Sequence, residues 1–135
     1  MRTRGNVFLL SALFIVAGLM HFAVPNRYLG IMPAWIPYQV EMVYISGVAE
    51  TLGGIGLLLA SVRKAAGIGL ILLLIAVFPA NVQMLGNAMH DGSSAMYIAL
   101  LFFRLPLQPL LIVWVYKAAI RAARPATAQV PRTSL

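Results

Sequence analysis

The sequence predicts an all-α protein, a polytopic membrane bundle of four transmembrane helices, and three observations predict it. First, 61% of the 135 residues are hydrophobic and only 10% are charged, with a mean hydropathy of +0.91, far from the balance of a soluble domain. Second, the apolar residues gather in four runs, approximately 7–24, 40–60, 65–85 and 96–119, each with about the 20 residues that cross roughly 30 Å of hydrocarbon as a helix. Third, the basic residues fall in the segments that an even number of spans puts on one side. One transmembrane domain, 1–124, is expected, and the proline-punctuated tail 125–135, PATAQVPRTSL, is expected to be disordered.

The first run follows Arg2 and Arg4 and leads to His21, Phe22 and Pro25 without a convincing small-x-small site, so it reads as an uncleaved helix rather than a secretory signal. It should stop in HFAVPNRYLG, at Pro25, Asn26 and Gly30. The loop IMPAWIPYQVEMVY follows, with Trp35 between Pro33 and Pro37 and with Tyr28, Tyr38 and Tyr44 nearby. Such aromatics settle at headgroup level. The loop is therefore expected to lie flat over the helix ends, either as an ordinary aromatic belt or as a cap in which Phe22, Trp35 and Tyr38 line or cover a pocket.

The second and third runs form a hairpin through SVRK, residues 61–64. Gly53, Gly54, Gly56, Gly67 and Gly69 lie near its inner half, where small residues let backbones approach. No lysine or strand stands where a phosphate-binding loop needs one. The third run passes Pro79 and the fourth passes Pro106 and Pro109, and proline lacks the backbone N–H and clashes with the preceding turn, so bends are expected. Freed backbone groups survive in a bilayer where protein or a polar cavity satisfies them.

Net charge is +7. Arg2, Arg4, Arg63, Lys64, Lys117, Arg121, Arg124 and Arg132 fall on one side of the predicted topology, against Arg27 in the first opposite loop and no Lys or Arg in the second. This is the positive-inside pattern, with both termini cytoplasmic and anionic lipid headgroups as the expected contacts. It makes the basic charge a topology signal rather than a sign of nucleic acid. The absence of cysteine excludes disulfides and thiolate ligands from this chain. His21 and His90 are the only histidines, and with His90 read as a loop residue, no metal or haem site is expected.

Polar side chains inside the apolar runs are the candidates for chemistry. Glu50 falls near the midplane, about 13 Å along the second helix at the standard rise, where an unanswered charge is expensive. Arg104 lies at overlapping depth, about 10 Å into the fourth, and an ion pair between them is expected. Ser46 shares a face with Glu50, and Gln108 shares one with Arg104, each one turn apart. His21 ends the first helix, and Asn81 and Gln83 lie in the outer part of the third. Every span thus brings a hydrogen-bonding side chain to one half of the bundle. Three readings stand at this point: a polar network that only fixes helix order, a site for a small or amphipathic ligand, and a route for protons or ions.

The stretches GLMHFAVPNRYLGIMPAWIP, SGVAETLGGIGLLL, LLIAVFPANVQM and FFRLPLQPLLIVWVY together resemble the DoxX-like family of small four-helix bacterial membrane proteins. The resemblance implies a multi-pass protein of the bacterial cytoplasmic membrane, with relatives linked to the membrane subunit of a thiosulfate:quinone oxidoreductase and to complexes that cope with oxidative or thiol stress. Family positions carried onto this sequence are His21 with Phe22, Pro33 with Trp35 and Pro37, Ser46, Gly47 and Glu50, Pro79 with Asn81, and Arg104, Pro106, Gln108 and Pro109. The resemblance carries no role for these positions; the reading the residues favour is a membrane subunit that binds a quinone or another lipophilic ligand in the outer half of the bundle, with Arg104, Gln108 and His21 donating hydrogen bonds to its carbonyl oxygens and Glu50 orienting Arg104 or accepting a proton. A soluble oxidoreductase partner would supply the redox centre, and self-association stays open. The alternatives are a structural or assembly protein, and a membrane enzyme of isomerase type with Glu50 as base.

Overall fold

The computed structural model describes residues 2–30, 32 and 34–121. Four long helices carry the fold: α1 (Arg2–Ala23), α3 (Gln39–Leu58), α4 (Arg63–His90) and α5 (Ala95–Val115), with the short α2 (Pro25–Leu29) after α1 and a π-helical segment, Tyr116–Arg121, continuing α5. The tail expected to be disordered lies outside the described residues. Three helical stretches, Arg4–Ala23, Arg63–His90 and Ala95–Arg121, are long and apolar enough to cross a membrane. The remaining long helix, α3, carries Gln39, Glu41 and Glu50 among its apolar residues and is not one of these three.

Neighbours in sequence are neighbours in space: α1 packs along α3, α3 against α4, and α4 against α5, while the π-helical segment returns to touch α4 and α1. Glycine sets the approach of α1 to α3. A Cβ at Gly54 would stand 2.9 Å from the Ser11 carbonyl oxygen, and one at Gly47 would stand 2.7 Å from His21 Cβ, both far inside ordinary contact. The hairpin glycines divide their work. Gly53 faces Leu70 and Gly56 faces Ala66 across the hairpin, Gly67 faces Ala119 of the π-helical segment, and Gly69 has nothing within 4 Å. Between these helices an apolar core of Leu10, Phe14, Leu57, Leu70, Val115 and Ala119 fills the end that holds the N-terminus.

The ends of the helices follow local chemistry. Arg63 Nε donates to the Leu57 carbonyl at 2.6 Å, satisfying an acceptor that the end of α3 leaves open. At the far end of α4, Gly92 takes φ +66°, and Ser93 N–H donates to the Ala88 carbonyl at 3.0 Å. This is a Schellman closure, which needs a residue in the left-handed region, and glycine adopts it freely. It lets α4 run to His90, which is therefore helical and not the loop residue that the sequence reading expects. Ser94 then caps α5, its hydroxyl accepting from Tyr97 N–H at 3.3 Å. Both α4 and α5 run through their prolines as single elements.

Candidate functional site

The end of the molecule opposite the apolar core holds a cavity of about 240 Å³. Its wall takes residues from α1, α2, α3, α4 and α5, and all six polar positions predicted as a ligand or proton site, His21, Ser46, Glu50, Asn81, Arg104 and Gln108, line it. The rest of the lining is apolar, from residues such as Leu13, Phe14, Val77 and Leu107. The arrangement follows from helical period. His21 lies in the last turn of α1, Ser46 and Glu50 share one face of α3, Asn81 stands one turn beyond Val77 on α4, and Arg104 and Gln108 share one face of α5.

Glu50 and Arg104 do not form the expected ion pair. Among the described residues the cation-capable partner within ion-pair distance of Glu50 is His21, whose Nδ1 lies 3.5 Å from Oε2, while Arg104 Nη1 donates to the Met84 sulfur at 3.8 Å. The reason is azimuth. Depth along a helix follows from residue number, but the direction of a side chain around the axis depends on how each helix is rotated against its neighbours. Here α1 packs directly on α3, so the α1 histidine reaches Glu50 first.

Each polar side chain has a distinct set of partners. His21 Nδ1 donates to the Ala17 carbonyl at 3.0 Å, and the ring stacks on Tyr28 at a centroid distance of 3.8 Å, so the imidazole is held from below and from the side. Gln108 is committed to the fold: its Oε1 accepts from Asn81 Nδ2 at 2.5 Å, and its Nε2 donates to the Leu74 carbonyl. It ties α5 to α4 beside Pro79 and is not the free ligand donor of the sequence expectation. Glu50 is buried, and among the described residues its Oε2 has no hydrogen-bond partner. Arg104 is exposed at the cavity wall.

The expected cap is built from other residues. Phe22 stacks on Tyr44 at 5.5 Å, and Trp35 and Tyr38 are both 75% exposed; none of the three is part of the cavity lining, which takes Tyr28 and Met32 instead. After Ala23 comes the helical turn of α2, started by Pro25 at its first position, and that turn stacks Tyr28 on His21. Burial pushes the Tyr28 phenol above its usual pKa, with the Glu50 carboxylate adding to the effect, so the hydroxyl stays a donor at neutral pH. Gln83 bonds within its own helix, Nε2 to Asn87 Oδ1 at 2.8 Å, and is exposed.

An all-helical protein with three helices fit to cross a membrane, and a cavity with one polar wall among apolar ones, is the class that the fold and site define. Residues 10–119 match the family described as Domain of unknown function (DUF8561), and the chain belongs to it. No curated protein and no solved structure matches the chain. Among the described residues, no three His, Asp or Glu side chains gather as a metal-binding group.

Proposed function

We propose that the chain is a four-span protein of the bacterial cytoplasmic membrane, related to the DoxX-like proteins, that binds the headgroup of a lipophilic ligand of quinone type in this cavity. The observation that carries the reading is the gathering of six polar side chains from four helices at one apolar-walled cavity. A network serving only to hold helices together would satisfy itself. Here one part does, the chain from Asn81 through Gln108 to Leu74, and it is the part that a structural reading explains. The other part is less complete: among the described residues Glu50 Oε2 has no hydrogen-bond partner, and exposed Arg104 has the Met84 thioether to donate to.

In this reading α3 is the fourth span. Its polar residue at mid-length, Glu50, is turned inward and buried, which is how a bilayer tolerates an ionisable group. Arg4, Arg63, Lys64, Lys117 and Arg121 stand at the cytoplasmic end, and the cavity opens in the outer half. Arg104 and the hydroxyls of Tyr28 and Ser46 serve as ligand donors, and a soluble oxidoreductase is the partner that would reduce or oxidise the ligand. The test is mass spectrometry of the organic extract of protein purified in mild detergent, beside an R104A/Y28F control. Enrichment of a quinone or another defined lipid in the wild type and its loss in the control is the expected result. Bulk phospholipid alone in both would refute the ligand and leave the assembly reading.

A further inference from the structure

We propose that the cavity opens sideways into the bilayer through a slot between α1 and α5, and that its ligand is an amphiphile of the outer leaflet that enters by this slot, places its head in the cavity and leaves its hydrocarbon chain in the slot. The inference rests on the lipophilic-ligand reading and adds to it the route and the shape of the ligand.

The argument starts from which helices pack. With α1 on α3, α3 on α4 and α4 on α5, the bundle is a row that closes into a ring only if α1 meets α5, and among the described residues no packed interface joins those two helices. The π-helical segment touches α1 instead, through a core that includes Leu10, Val115 and Ala119, and this closes the slot at the end holding the N-terminus. Beyond that core, α1 and α5 line the two sides of the cavity without packing on each other. A residue that lines a cavity and is also exposed stands at its edge. Leu13 of α1, 42% exposed, and Leu107 of α5, 59% exposed, are such residues, and so are Arg104 of α5 and Met42 in the first turn of α3.

Depth decides what the opening faces. At the standard rise Leu13 lies about 15 Å along α1 from Ala23, and Leu107 about 18 Å along α5 from Ala95, which is mid-depth in roughly 30 Å of hydrocarbon. An opening at that level meets acyl chains, and its sides, Leu13, Ala17, Leu107 and Leu111, are apolar to match. Arg104 lies one turn nearer the outer end than Leu107, and Tyr28 and His21 lie at the outer end itself. A wholly polar ligand would set its groups against the leucines, and a wholly apolar one would leave the donors of Arg104 and Tyr28 unused. An amphiphile answers both, its head accepting from the guanidinium and the phenol and its chain lying between the leucines. The slot stops at the core, so the ligand is drawn from the outer leaflet. Because the slot is open at its side, chain length matters little to binding and the head matters most.

The test places the full chain in phosphatidylcholine vesicles with a trace of a long-chain fatty acid carrying a photoreactive diazirine at mid-chain, and maps the adducts by peptide mass spectrometry. Adducts are expected to concentrate on Leu13, Ala17, Leu107 and Leu111, above the level on exposed residues apart from this cavity such as Leu52, Leu72 and Leu110. Arg104→Ala should lower the slot adducts about tenfold, the weight of one charge-assisted hydrogen bond. Leu107→Trp, which fills the mouth, should abolish them, and Leu110→Trp, the same bulk away from the cavity, should leave them unchanged. Unlabelled fatty acids of shorter and longer chain should compete equally well. The wild-type map decides the matter even where a variant fails to fold. Adducts spread evenly over the exposed apolar residues overturn the side entry; the lipophilic-ligand reading then stands if the organic extract still holds an enriched lipid, and both fall if it holds bulk phospholipid alone.

Discussion

Replacing Gly47 by alanine should destabilise the protein and displace the cavity histidine in one step. A Cβ at this position would lie 2.7 Å from His21 Cβ, 3.0 Å from the Gly18 carbonyl oxygen and 3.0 Å from Phe22 Cε2. The first two obstacles are a Cβ and a backbone atom, which cannot swing aside, so α1 must retreat from α3 by about 0.7 Å or more to restore ordinary contact. Overpacking of this kind costs about 1–3 kcal/mol. It outweighs the roughly 0.5–1 kcal/mol that alanine gains over glycine within a helix. Gly69→Ala is the matched control, since a Cβ there meets nothing within 4 Å and should leave stability unchanged or slightly raised. Equilibrium unfolding in mixed micelles reads both variants. Retention of wild-type stability by Gly47→Ala would refute the claim that α1 and α3 touch through this glycine.

Gln108→Ala should cost about 1–2 kcal/mol in the same assay, because it leaves the Asn81 amide and the Leu74 carbonyl without their shared partner; an unchanged unfolding midpoint would show that the tie is not formed. Glu50→Gln should insert and fold at least as stably as the wild type while losing ligand enrichment in the organic extract, and lost stability with enrichment retained would contradict a ligand role. Trp35→Ala should leave ligand enrichment unchanged, since Trp35 is 75% exposed and apart from the cavity lining; a large loss would restore the aromatic loop as a cap. The cysteine-free sequence makes topology directly readable: in intact cells an impermeant thiol reagent should label His90→Cys and spare Lys64→Cys, and the reverse would invert the orientation.

The helices were legible because long apolar runs have few alternatives, and so were the six polar side chains that line the cavity, because an ionisable or amide group inside such a run stands out against its background. Depth was legible as well, since rise per residue is nearly constant, and this is why His21, Glu50 and Arg104 share one cavity. Rotation about each helix axis was not. The sequence therefore paired Glu50 with the arginine at matching depth, whereas the glycine contacts of α1 with α3 bring His21 within 3.5 Å. The cap went astray for a related reason. Aromatic content marks Trp35 and Tyr38, but a segment without helical or strand period carries no signal of side-chain direction, and the residue over His21 is Tyr28, from a helical turn that Pro25 starts. The end of α4 had a usable signal in HDG, residues 90–92, where the glycine takes the left-handed conformation that closes the helix.

The division of the molecule into two ends explains how an unsatisfied carboxylate is tolerated. At the end holding the N-terminus, close approach and apolar filling hold the helices: in α3, Gly54 packs against α1 and Gly53 and Gly56 against α4, and in α4, Gly67 packs against the π-helical segment, around Leu10, Leu57, Leu70 and Val115. These contacts use few polar atoms. The Asn81–Gln108–Leu74 chain adds one hydrogen-bonded tie between α4 and α5, close to Pro79. With the helices fixed by these means, Glu50 and Arg104 carry no necessary share of the packing, and the fold is left free to keep them apart. Glu50 and Arg104 line one cavity without pairing, and their separation persists because the helices that bear them are held elsewhere. A ligand that fits between them would be met by groups already oriented, and would not have to break an ion pair before it bound.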